Sequence, residues 1–118
     1  MKMKEEEFKK RLEEYYKTAK YPSDYDPEKE LFPKCDICGL VSEYLGKDMD
    51  YSPDLRMWLC NLHAIEFYLC PEALLEEKDP LHQEVVSAGY DPELIYEILK
   101  RTRDFEHFSR RFFHIVVE

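Results

Sequence analysis

The chain has 118 residues, a formal net charge of −9 at pH 7 and 44% hydrophobic residues, enough for one domain with a single modest core. No run approaches the ~20 apolar residues of a membrane span, and residues 1–20 are charged rather than apolar, so neither a membrane helix nor a secretory signal is expected and a cytoplasmic protein is the default. The acidity is central: residues 21–93 hold five Lys or Arg against seventeen Asp or Glu, which opposes binding of a phosphate backbone by the middle of the chain.

Residues 3–19 place Phe8, Leu12, Tyr15 and Ala19 at steps of four, three and four, one apolar stripe of a helix whose other faces are solvated Glu and Lys. Residues 21–34 contain Pro22, Pro27 and Pro33 beside Tyr21, Tyr25 and Phe32 and read as an ordered connector, with Asp26-Pro27-Glu28 suited to starting a short helical turn. Asn61 and Gln83 are the only side-chain amides. That scarcity, with abundant Glu and Lys, is the composition seen in proteins of hot-living organisms.

The middle of the chain carries the chemistry. Cys35-Asp-Ile-Cys38 and Cys60-Asn-Leu-His63 are separated by twenty-one residues, two ligand pairs whose two-residue spacers let each pair grip one ion from a single turn. Gly39 follows the first pair where the backbone must turn. Residues 41–45 and 55–59 read as two short strands joined by a polar segment, and residues from Ala64 to Leu69 continue as a helix. Cys60 and His63 then lie at the first turn of that helix and point the same way. The expected cofactor is one structural Zn2+ held by Cys35, Cys38, Cys60 and His63, with iron the other metal such a set can take. Cys70 is ten residues beyond Cys60, ~15 Å along a helix, so it is expected as a small buried hydrophobe and not as a ligand.

A knuckle, a hairpin, and a helix whose start provides the second pair is an order that resembles the treble-clef class of zinc finger over residues 35–69. The resemblance implies a binding scaffold more often than a catalyst. A nuclease of that class needs a further histidine as general base, whereas His63 is spent as a ligand and His82, His107 and His114 lie far along the chain. A thioredoxin-type redox pair needs its cysteines to open a helix inside a βαβ unit, and Gly39 followed by a strand-like run speaks against that. No catalytic residue is expected.

Beyond the finger, Pro71, Pro80 and Pro92 fall at first helical positions, with Asp79 and Asp91 as N-caps and Gly89 just past a helix end. Short helices are expected near 71–78 and 80–88, and a long one from 92 to about 113, where Ile95, Ile98, Thr102, Phe105, Ser109 and Phe112 repeat at threes and fours. The fold class is therefore α+β and mainly helical: a single domain with an N-terminal helix at 1–20, a connector at 21–34, the metal-binding unit at 35–69 and a helical segment at 70–118. The wide apolar face of residues 94–112 makes a protein partner, including a second copy of the chain, the leading expectation. Lys100, Arg103, His107 and Arg110 form a stripe beside that face. This stripe is the place where a nucleic-acid-binding regulator would grip phosphates, although i,i+4 pairing with Glu97, Asp104 and Glu106 satisfies much of the charge.

Overall fold

The computed structural model describes residues 3–101. Helix α1 spans Glu5–Lys17, with Glu5, Glu6 and Glu7 in its first turn and Lys17 in its last, charges that complement the helix dipole at both ends. Its stripe turns inward through Phe8, which is buried, with Leu12 and Tyr15 packed beside it. The connector holds a short 3₁₀ turn at Pro27–Lys29, capped by the Asp26 carboxylate accepting from the Glu28 N–H.

The hairpin pairs strand β1, Met49–Ser52, antiparallel with β2, Met57–Cys60, in the register Met49 to Cys60 and Tyr51 to Trp58. All eight strand residues are buried, so this small sheet lies between two apolar clusters and not on a surface. Met49, Tyr51, Trp58 and Cys60 face a ring-rich cluster with Tyr21 and Tyr25, while Met57 and Leu59 face the main core, as the two-residue period of a strand requires. Burial pushes the Tyr51 phenol up to about 12, with Tyr25 beside it adding to the shift.

The first strand therefore falls later than the sequence pattern suggests. Residues 41–45 contribute only one isolated bridge, Lys34 to Val41, because Ser42 and Asp48 close a compact loop. Ser42 Oγ donates to Asp48 and accepts from the Gly46 N–H at 2.8 Å, while the Asp48 carboxylate accepts from Glu43 N–H at 3.0 Å. Such local side-chain bonds outcompete strand pairing. Gly46, at φ +86, supplies the left-handed step and sits against the Glu30 carbonyl, a backbone conformation that glycine adopts freely.

Helix α2 spans Asn61–Leu69, α3 Pro80–Ser87 and α4 Pro92–Arg101, with a 3₁₀ turn at Pro71–Leu75 between the first two. Asp79 caps α3 by accepting from Leu81 N–H at 2.9 Å, Asp91 caps the start of α4 through Glu93 N–H at 3.0 Å, and Gly89 takes φ +93 between them. The expected helix at 71–78 is only the 3₁₀ turn. His82 Nδ1 lies 2.7 Å from the Leu74 carbonyl and ties that turn to α3. Ala64, Phe67 and Tyr68 of α2, Leu74, Leu81 and Val85, and Leu94, Ile95, Ile98 and Leu99 of α4 form one buried core with Phe8. The apolar face of α4 is thus spent inside the chain itself, at least as far as Leu99; the expected continuation of this helix to about residue 113 lies outside the described residues.

Candidate metal centre

Cys60 ends β2 and becomes the N-cap of α2, its sulfur 3.5 Å from the His63 N–H that it accepts. The strand thereby aims Cys60 and the first helical turn aims His63 at one point. From the opposite side, Cys35 N–H donates to the Leu40 carbonyl and Gly39 N–H to the Cys35 carbonyl, each at 2.8 Å, folding residues 35–40 into a tight knuckle with Gly39 at φ +80. Asp36 locks the knuckle to the hairpin: its backbone N–H donates to the Trp58 carbonyl, and its carboxylate accepts from the Trp58 N–H at 2.7 Å.

The ligand atoms of Cys35, Cys38, Cys60 and His63 all lie within 4.8 Å of one another. Cys38 Sγ is 3.9 Å from Cys60 Sγ, and His63 Nδ1 is 3.6 Å from Cys35 Sγ and 3.3 Å from Cys60 Sγ. A regular tetrahedron with zinc bonds of ~2.3 Å to sulfur and ~2.0 to 2.1 Å to nitrogen has edges of ~3.8 Å between sulfurs and ~3.6 Å from sulfur to nitrogen. The four donors fit a metal ion of that size. A disulfide requires ~2.05 Å, and all four cysteines of the chain are free.

Electrostatics prepare the same donors. The Cys60 thiol and His63 hydrogen-bond to Cys35, and Cys38 N–H adds to them, so the Cys35 thiol is lowered to about 3. Cys60, sharing its proton with Cys35, is pushed up, and His63 is raised to about 9 by Cys35 first and Glu84 next. A divalent cation binding here displaces those protons. Cys35, Cys60 and His63 are buried and Cys38 is exposed, so access is from the knuckle side.

Glu84 of α3 was not among the residues singled out from sequence. Its carboxylate lies 2.6 Å from His63 Nε2, leaving Nδ1 free for the metal. Such an outer carboxylate fixes the tautomer and ring orientation of a metal-bound histidine. Glu84→Gln is expected to weaken metal affinity by ~10- to 100-fold with the fold retained, as measured by competition against a chromophoric chelator; unchanged affinity would show that the contact is incidental.

The other expected site residues are dispersed. Cys70 is exposed, correcting the expectation of burial: α2 stops at Leu69 and the chain turns outward at Cys70, its C-cap. Lys100 is exposed, its ammonium 6.0 Å from the Tyr96 ring centroid, while Arg103, His107 and Arg110 lie outside the described residues. Among the described residues, no helix is long and apolar enough to cross a membrane. No protein-family model matches the chain, and neither a curated protein nor a solved structure shows significant similarity to it.

Proposed function

We propose that the chain is a non-enzymatic protein whose Cys35, Cys38, Cys60 and His63 hold one structural zinc ion in a treble-clef arrangement, and that the metal-braced knuckle presents a surface for another protein. The near-tetrahedral donor set backed by Glu84 carries the metal part of this reading. Four protein ligands leave no open position for a catalytic water. The order of the knuckle at Cys35 and Cys38, the hairpin, and the helix that begins at His63's turn supports the treble-clef description.

The surface part rests on exposed apolar side chains beside the site. Segments 30–35 and 40–46 lie side by side through the Lys34 to Val41 bridge, the Ser42 N–H to Pro33 carbonyl bond and the packing of Gly46 on Glu30. On them Leu31, Phe32, Leu40, Tyr44 and Leu45 are each more than half exposed, a concentration that marks an interaction surface more often than isolated exposed residues do. The α4 face first expected to take this role is occupied inside the chain between Leu94 and Leu99.

A second copy of the chain is the simplest partner. Sedimentation velocity of the zinc-loaded protein up to about 100 μM should show reversible association, a range in which weak homodimers are populated. Phe32→Ser with Tyr44→Ser should abolish it while leaving metal content unchanged. A strictly monomeric wild-type chain, or association indifferent to both substitutions, counts against the reading. A nucleic-acid role finds only Lys100 of its expected stripe among the described residues, and the chain's net charge of −9 opposes it.

A further inference from the structure

A cleft of about 750 Å³ opens between α1 and the turn that joins α3 to α4, on the side of the hairpin tip. That volume falls in the ordinary range for small-ligand sites. Its lining includes the cations Arg11, Lys20 and Arg56, the carboxylates Glu14 and Asp91, and the rings of Tyr15 and Tyr90.

Most of this charge is already matched. Arg11 pairs with Glu7 at 3.3 Å and Asp91 at 3.5 Å, and Lys20 pairs at 3.2 Å with Asp36, whose side chain is only 5% exposed. Arg56 has no carboxylate partner among the described residues. Its guanidinium lies 3.8 Å from the Tyr16 ring centroid, and a single Nη1 bond runs to the Tyr16 carbonyl at 3.5 Å. The stack fixes the plane of the guanidinium and leaves most of its N–H groups unused. Tyr90, packed 6.3 Å from Tyr15 between ring centroids, has a hydroxyl that makes no hydrogen bond among the described residues.

The backbone adds a separate observation. Arg56 occupies φ +50 at the end of the hairpin turn, a left-handed conformation that glycine adopts far more readily than arginine. Backbone strain of this kind concentrates at functional sites, and here it holds a long cationic side chain in a cleft without an acidic partner among the described residues.

We propose that this cleft is a binding site for a small organic monocarboxylate with an aromatic or apolar body. The planar Arg56 fork suits a carboxylate taken by two parallel N–H bonds. The Tyr90 hydroxyl offers a further donor, and the Tyr15 and Tyr90 rings give the body of the ligand an apolar wall. Arg11 and Lys20 are matched by carboxylates, which leaves Arg56 as the lining cation open to a ligand among the described residues. None of Cys35, Cys38, Cys60 and His63 lines the cleft.

The test is a nitrogen-proton NMR titration of the full, zinc-loaded chain with benzoate and, separately, with inorganic phosphate. Benzoate should produce saturable shifts at Arg56 Nε and the Tyr90 amide with a millimolar dissociation constant, and phosphate should bind more weakly because it lacks an apolar body. Arg56→Gly, which the backbone accepts without strain, should weaken benzoate by ~10-fold or more while the rest of the spectrum is retained, and Arg56→Lys should weaken it in the same direction. Lys47→Ala, on a distant loop, should leave it unchanged. Non-saturating shifts, equal affinity for phosphate, or wild-type affinity in Arg56→Gly would each overturn the proposal.

Discussion

Stripping the ion from the Cys35, Cys38, Cys60 and His63 cluster with a strong chelator at neutral pH should abolish cooperative thermal unfolding, and Cys35→Ser should have the same effect without a chelator. Structural zinc contributes ~10 to 16 kcal/mol of apparent binding energy in finger peptides, comparable to or larger than the ~5 to 15 kcal/mol by which whole domains are stable. The local structure explains the dependence. A hairpin of two four-residue strands is marginal alone, and the knuckle has no helix or paired strand of its own, only the Lys34 to Val41 bridge. Calorimetry and circular dichroism of the chelated protein provide the check. A sharp transition at the original temperature in the metal-free chain would remove the structural role of the ion.

Phe67→Ala should destabilise the zinc-loaded protein by ~3 to 5 kcal/mol, the cost of deleting a fully buried ring and leaving a cavity. Phe67 is 0% exposed, belongs to the main core, and sits one turn beyond His63 with the two ring centroids 6.5 Å apart. It joins the His63 end of α2 to the helices behind it. Leu62→Ala, on the same helix but 63% exposed, should stay within ~0.5 kcal/mol of wild type. Denaturant unfolding in the presence of zinc compares the two. Equal effects would mean that α2 does not anchor the core through Phe67.

The Cys35, Cys38, Cys60 and His63 cluster was legible because spacing of this kind is a local matter: Cys35 and Cys38 share one knuckle, and Cys60 and His63 share one helical turn. The caps at Asp26, Asp79 and Asp91 were legible for the same reason, since each side chain bonds an N–H two residues ahead. The hairpin was misplaced because Val41, Tyr44 and Leu45 carry strand-like side chains, while Asp50 and Ser52 hide the period of the real strand. The burial of Ser52 is compensated from afar, the Tyr68 hydroxyl donating to Ser52 Oγ at 3.0 Å. The α4 stripe was correctly read as apolar, but a stripe does not say whether its partner belongs to the same chain. Glu84 gave no signal, because its approach to His63 depends on how α3 packs against α2, across twenty-one positions of sequence.

Trp58, the single tryptophan of the chain, lies two residues before Cys60 with its Nε1–H donating to the Tyr25 hydroxyl at 3.0 Å and its ring 5.4 Å from that of Tyr51. The molecule therefore carries its own optical probe beside the Cys35, Cys38, Cys60 and His63 cluster. Tyrosine excitation passes to one acceptor, and emission from that acceptor reports the state of the hairpin separately from the helices, so metal uptake can be followed in real time without a label.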